Sequence, residues 1–315
     1  AVPASWNDQF ALDRDNLGPG WYQMRFRVPW GWQGQCVRLR FGSVNYLASV
    51  WLNGEFLGEH EGGHLPFEFD VTDRVQHDAE NLLVVRVDGR LSPDHVPPGN
   101  VTLDEKNTFP NLSYPAGNYD FFPYCGIHRP VLLYSVPPQG IEDVIVKTDI
   151  DGSDGVVRVS AIVPDNANAT LRVTVSGYDQ HVIATGAEEI SLTVPDAKLW
   201  EPGAPNLYDL RVEALDGETV LDEVALRIGI RTVAVAGDKL LLNGKPVVLK
   251  GFGRHEDFAV VGRGYFPALI VKDYALMDWI GANSFRTTHY PYSEQMLDMA
   301  DELGILVIAE TPAVG

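Results

Sequence analysis

The sequence predicts a multidomain β plus α/β chain: two β-sandwiches, then the first part of an α/β layer. Three observations carry this. Short alternating runs bounded by Gly, Pro, Asn or Asp fill residues 1–138. A second set of such runs fills residues 139–234, again with turn signals between them. From residue 235 to 315 the order becomes strand, helix, strand, helix, strand, as at the start of an α/β unit.

In the first segment the runs at 21–28, 36–41, 48–52 and 82–87 alternate apolar and polar residues, as half-buried strands do. Asn53-Gly54, between VWL and EFLGEH, predicts a hairpin closed by a two-residue type I′ turn. Residues 91–119 are rich in Pro, Asn, Asp and Gly and have no period. A loop of that length inside a compact domain is usually functional. Val136-Pro-Pro-Gln-Gly140 reads as a linker. Beyond it, strands are predicted at 143–147, 155–163, 169–175, 189–194, 208–214 and 223–228. Their spacing suits an immunoglobulin-like sandwich, without the Cys-Trp-Cys signature of antibody domains.

In the last segment Pro246–Lys250 (PVVLK) is predicted as a short apolar strand. Ile270, Tyr274, Met277 and Ile280 recur at helical spacing across 268–281. Residues 283–286 form a strand. Residues 293–303 form a second helix, with Ser293 as N-cap and Gly304 as its stop. The run ILVIA at 305–309 is nearly continuous in apolar residues, like a parallel strand buried on both faces. Three strands and two helices cannot close a barrel, which needs about 250 residues. The expectation is therefore a chain cut short at Gly315, after its third barrel strand. Its start, AVPASW, without an initiator Met, suggests a processed or truncated beginning.

Composition narrows the function classes. A formal net charge of −19 argues against nucleic acid and against anionic membranes as partners. No run approaches the ~18 apolar residues of a membrane helix. An acidic substrate would have to be caught by a local basic cluster, and none is evident in the sequence. The two cysteines, Cys36 and Cys125, make no disulfide framework; they read either as two buried free thiols or as a single disulfide. Sequons at Asn100, Asn111 and Asn168 point to a secreted, glycosylated protein. No cofactor or metal is expected. Gly251-Phe-Gly253 is too short for a phosphate loop, and His60 and His64 lie on strand and turn, where their side chains need not converge.

Several motifs together carry a resemblance. Asn283-Ser-Phe-Arg286-Thr-Thr-His289-Tyr290-Pro291, followed by Asp301-Glu-Leu-Gly304-Ile-Leu-Val-Ile, resembles the N-x-x-R-x-x-H-Y-P signature of family 2 glycoside hydrolases. Gly251-Phe-Gly-Arg254-His255-Glu256-Asp257 and Ala275-Leu-Met-Asp-Trp-Ile-Gly-Ala-Asn283 are similar to the β-glucuronidase branch. Leu199-Trp200-Glu-Pro202 with Asn206-Leu-Tyr208 resembles the family's middle domain. Trp51-Leu-Asn53-Gly54 and Gly62-Gly-His-Leu-Pro-Phe67 resemble its first domain. Tyr119-Asp120-Phe-Phe122 with Gly126-Ile-His-Arg129 resembles a segment that runs from that domain towards the active site. The resemblance implies a jelly-roll sugar-binding domain, an immunoglobulin-like domain and a TIM barrel.

It also implies a retaining exo-glycosidase that hydrolyses β-D-glucuronides and assembles as a homo-tetramer. Retaining enzymes need two carboxyl groups about 5–5.5 Å apart. In the family these glutamates follow barrel strands four and seven. The acid/base and the nucleophile are therefore expected beyond Gly315, neither role falls on a residue of this chain, and the remainder of the barrel is an implied partner. Glu310 is a framework residue on the resemblance. Glu256 and Asp257, as neighbours on an extended chain, point apart and fit ion pairing at the barrel mouth better than catalysis. Four residues are implied to bind substrate: Asp120, reaching sugar hydroxyls; His255, after the first strand; and Arg286 and His289, at the end of the second. For Arg286 a structural ion pair inside the barrel is an equal alternative. A β-galactosidase or β-mannosidase of the same family, and a non-catalytic carbohydrate-binding scaffold, also remain open.

Overall fold

A computed structural model of the chain describes residues 1–92, 94–97, 122–164, 170–178, 181–185 and 189–312. Asp120 and the three sequon asparagines, Asn100, Asn111 and Asn168, lie outside the described residues, as does most of the 91–119 stretch. Gly315, the expected stopping point after the third barrel strand, lies outside them too, so the described part of that strand's loop ends at Pro312.

The first domain is a sandwich of two antiparallel sheets. One joins, in spatial order, Gly20–Phe26, Asn81–Asp88, Leu47–Leu52 and Glu55–Glu61; the other joins Phe67–Asp70, Cys36–Phe41 and Val131–Val136. The alternation read in the sequence is the burial pattern. Val37, Leu39 and Phe41 face Ala48, Val50, Leu52, Val85 and Val87 in one apolar core. The Asn53-Gly54 hairpin forms as expected, with Leu52 opposite Glu55. Both turn residues have positive φ, 54° and 87°, which a type I′ turn requires. Asn53 also ties the turn to its neighbour strand, accepting from Leu82 N–H and donating to Asn81 Oδ1, each at 2.9 Å.

The second domain packs Asp143–Asp151, Asp154–Ile162 and Ile190–Val194 against a sheet of His181–Thr185, Thr170–Val175, Tyr208–Asp216 and Thr219–Ile228. The His181–Thr185 strand is absent from the sequence reading. Two sheets closed over Val157, Val159, Val173, Leu192, Leu210 and Val212 give the immunoglobulin-like sandwich.

The third segment begins with a small antiparallel meander, Val233–Ala236, Lys239–Leu242 and Lys245–Pro246. Three parallel strands then follow in order: β1 (Gly251–Arg254), β2 (Ser284–Thr287) and β3 (Leu306–Ile308), with helices α1 (Pro267–Trp279) and α2 (Glu294–Leu303) as the crossovers. This is the opening of a TIM barrel, with no closed barrel among the described residues.

Two expectations do not hold. PVVLK is not the first barrel strand: Pro246 pairs in the meander and the Val247 N–H donates to the Leu240 carbonyl there, Val248 is exposed, and β1 starts at Gly251. Apolarity misled the reading because β1 is selected by fit. A Cβ on Gly251 would lie 1.8 Å from the Ser284 carbonyl oxygen, so the close pairing with β2 needs glycine. The run at 305–309 is also not buried on both faces. Among the described residues β3 pairs only with β2, which leaves Ile308 exposed.

Ser293 does sit at the N-cap of α2, and Gly304 closes that helix at φ 72°. The Ser293 hydroxyl makes no cap bond, however; its backbone N–H donates to Glu256 Oε1 at 3.0 Å. Cys36 and Cys125 are both free thiols, but Cys36 is only half-buried, against the expectation of two buried thiols. Cys125 is fully buried, which pushes its thiol far above the usual range.

Candidate active site at the barrel mouth

The C-terminal ends of β1, β2 and β3 bring together residues that the sequence spreads over 255–310. In barrel enzymes this face carries the chemistry. His255 follows β1 directly, and its Nδ1 lies 3.3 Å from the Tyr290 hydroxyl. Its ring meets the His289 ring edge-on, with centroids 5.4 Å apart. Glu310, just past β3, bridges two residues from the end of β2: Arg286 Nε at 3.1 Å from one oxygen and His289 Nδ1 at 3.4 Å from the other. The Glu310 backbone N–H is held by Thr287 Oγ1 at 2.9 Å. Arg286 therefore has an ion-pair partner inside this chain, yet nearly half of its side chain stays accessible from the barrel mouth.

A second layer lies beneath. Arg129, from the first domain, is buried and donates across the domain boundary. Nη1 reaches the His64 carbonyl at 2.8 Å, and Nη2 reaches the Pro291 carbonyl at 2.9 Å and Glu256 Oε2 at 3.2 Å. Glu256 thus ion-pairs at the barrel mouth, as read from the sequence, while its backbone N–H donates to the Tyr290 hydroxyl at 3.1 Å. The fully buried Tyr290 ring stacks on His64 at 4.8 Å and carries the Arg263 guanidinium 4.0 Å from its centroid. Burial raises its phenol above the usual tyrosine range, so the hydroxyl stays protonated. A cleft beside this layer is lined by Arg129, Arg254, Glu256, Asp257, Arg263 and Asp273, carrying charges of both signs. Arg129, Tyr290 and His64 fall within the motifs that carry the resemblance, without a site role assigned to them there, and Arg263 falls in none. Arg129 meets its partners 65 to 162 residues away, so its local motif does not reveal them.

His60 and His64 do not converge: His60 stacks on Phe67, and His64 on Tyr290. Among the described residues no three His, Cys, Asp or Glu gather as metal ligands. No helix there is long and apolar enough to cross a membrane.

The interface layer has a pH signature. Burial holds the imidazoles of His64 and His128 well below the usual histidine range, and the nearby Arg263 and Arg129 push in the same direction. His128 also bonds Ser5 Oγ through Nε2 at 3.0 Å. The unfolded chain binds these protons more readily than the folded one. Their contribution is therefore complete above the unfolded value of about 6.5 and declines as pH falls below it, by about 1.4 kcal/mol per unit for each ring that stays neutral. Asp298 and Asp301, raised by burial, act oppositely but around the lower carboxylate range. The denaturation midpoint is expected to fall between pH 7.5 and 5.5, and the fall to shrink when both histidines become glutamine. A midpoint that is flat over this window refutes the assignment.

Models of one family match this architecture segment by segment. They are "Glycosyl hydrolases family 2, sugar binding domain" over residues 1–137, "Glycosyl hydrolases family 2" over 139–231, and "Glycosyl hydrolases family 2, TIM barrel domain" over 233–315. The chain belongs to glycosyl hydrolase family 2. It is 43% identical over 324 residues to a β-glucuronidase of Paenibacillus borealis and 41% identical over 333 residues to that of Rattus norvegicus. These matches take in 100% of this chain and 53% and 51% of those proteins. A solved β-D-glucuronidase of Dictyoglomus thermophilum superposes with a TM-score of 0.89 at 39% identity, covering 99% of this chain and 54% of that one. A Ruminococcus gnavus β-glucuronidase in complex with D-glucuronic acid does so at 0.90 and 35%, with the same shares. The chain thus spans about half the length of the relatives it matches.

Proposed function

We propose that this chain is the N-terminal half of a retaining, exo-acting β-glucuronidase. It contributes sugar-binding and framework residues, and the acid/base and nucleophile glutamates belong to barrel strands beyond Gly315. The observation that carries this reading is the cluster of His255, Arg286, His289 and Glu310 at the C-terminal ends of three parallel strands, in a chain similar to β-glucuronidases through all three domains. The R. gnavus relative bound to D-glucuronic acid supports a uronic acid as the sugar.

In this reading His255 and His289 contact the sugar ring from adjacent strands, and Asp120 accepts from sugar hydroxyls. The Glu310 carboxylate is engaged by Arg286 Nε on one oxygen and faces His289 Nδ1 with the other. Glu310 is accordingly an orienting group for Arg286 and His289. Hydrolysis proceeds by double displacement, through a glycosyl-enzyme formed on a glutamate of the completing strands. The sequons favour a secreted glycoprotein, and a homo-tetramer is the assembly this reading carries. The domain limits proposed are 1–138, 139–234 and 235–315.

The test compares p-nitrophenyl β-D-glucuronide with the β-D-galactoside, using this 315-residue chain and the same chain continued through a whole barrel. Glucuronide cleavage by the longer protein alone supports the reading. Cleavage by the 315-residue chain overturns the assignment of both carboxylates elsewhere. A preference for the galactoside overturns the substrate.

A further inference from the structure

We propose that the first domain sets the position of His255: Arg129 and His64, reaching across the domain interface, fix Glu256 and Tyr290, and the Tyr290 hydroxyl holds the His255 ring at the barrel mouth. This rests on the reading of that mouth as the sugar site.

The geometry assigns each residue a distinct task. Arg129 alone joins three separate segments, through the His64 and Pro291 carbonyls and the Glu256 carboxylate. Glu256 spends its other oxygen on the Ser293 N–H, which begins α2. The loop after β1 and the loop after β2 are therefore locked to each other by a guanidinium that belongs to neither. His64 faces the Tyr290 ring with the planes only 11° apart, while Arg263 lies over the same ring. Tyr290 can neither tilt nor slide without breaking these contacts. Its hydroxyl meets both the Glu256 N–H and His255 Nδ1, so ring and loop move as one unit.

A buried guanidinium with three acceptors and a stacked aromatic leave little positional freedom. Displacing a substrate-contacting group by about 1 Å can cost about 10²-fold in rate. Arg129, His64 and Tyr290 are thus positioning residues that act through His255.

The experiment follows the titration of the His255 ring by NMR in the 315-residue chain, in Tyr290→Phe and in Arg129→Lys. Tyr290→Phe keeps the stacked ring and removes only the hydroxyl. Arg129→Lys keeps the charge and removes the three-way reach. The expected result is a His255 midpoint displaced by about half a unit or more in both variants. An unmoved midpoint in both overturns the proposal. A shift with Tyr290→Phe alone overturns the part given to the first domain. If Arg129→Lys does not fold, His64→Leu, which removes the stacking ring and leaves the ion pair, takes its place.

In the complete enzyme, Tyr290→Phe and Arg129→Lys are expected to lower kcat/KM for the glucuronide about tenfold, and to add little once His255 is already alanine. Fully additive losses overturn the coupling. Should the complete enzyme hydrolyse no glucuronide, the functional reading fails, and the His255 titration still decides the positioning claim.

Discussion

Replacing Trp200 with alanine is expected to lower stability by about 3–5 kcal/mol, the range for emptying a large buried aromatic site. Trp200 is only 1% exposed and stands at the seam between the second domain and the barrel segment. Its Nε1 donates to the Asp301 carbonyl in α2 at 2.7 Å, and the Arg231 guanidinium lies 4.8 Å from its ring centroid. Its own carbonyl accepts from Asn243 Nδ2 at 3.1 Å. Gly229 packs so close that a Cβ there would sit 2.8 Å from the Trp200 Cβ. The alanine variant leaves a cavity and also strands the Asp301 carbonyl. Trp200→Phe keeps most of the volume but loses the N–H, and should cost about 1–2 kcal/mol. Denaturant titration of both variants checks this. A loss below about 1 kcal/mol for alanine would mean that the seam carries no weight.

The second large effect concerns Glu310. In the complete enzyme, Glu310→Ala is expected to reduce kcat/KM for the glucuronide by about 10²-fold, because Arg286 and His289 lose the carboxylate that orients them. Glu310→Gln, which keeps an acceptor for one of the two partners, should lose less. Removing a true nucleophile typically costs about 10⁴-fold or more. The measurement is the kinetics of both variants with and without azide. Azide can replace a missing carboxylate nucleophile and should leave Glu310→Ala unrescued. A fall beyond about 10⁴-fold with azide rescue would make Glu310 itself the attacking group.

Much of the fold was legible, for reasons that differ element by element. Asn53-Gly54 was legible because few residue pairs accept positive φ at both turn positions. The α2 boundaries were legible because Gly304 takes the left-handed stop. The strand at His181–Thr185 was missed among weakly patterned neighbours. The first barrel strand was misplaced because PVVLK is apolar, while Gly251-Phe-Gly-Arg254 is selected by close approach to β2, which no hydropathy pattern encodes. Of the cluster, His255, Arg286 and His289 were singled out through their motifs, and Glu310 only as a framework residue at the end of the third strand. The Tyr290 ring and the Arg129 guanidinium beneath them lie inside quoted motifs, but their mutual packing was not legible, because Arg129 meets Pro291 across 162 residues of sequence.

The strand order of the first sandwich also bears on how the chain is made. Its second sheet is finished by Val131–Val136, which lies beside Cys36–Phe41. A ribosome must therefore release the linker before that domain can close, whereas the second domain's strands pair mostly with near neighbours in sequence. Contacts between nearby residues form quickly and distant ones slowly. The early strands of the first domain must wait, partly unpaired, for about a hundred residues of synthesis. The barrel segment comes last in the chain, and Arg129 and Trp200 are points where the first and second domains contact it.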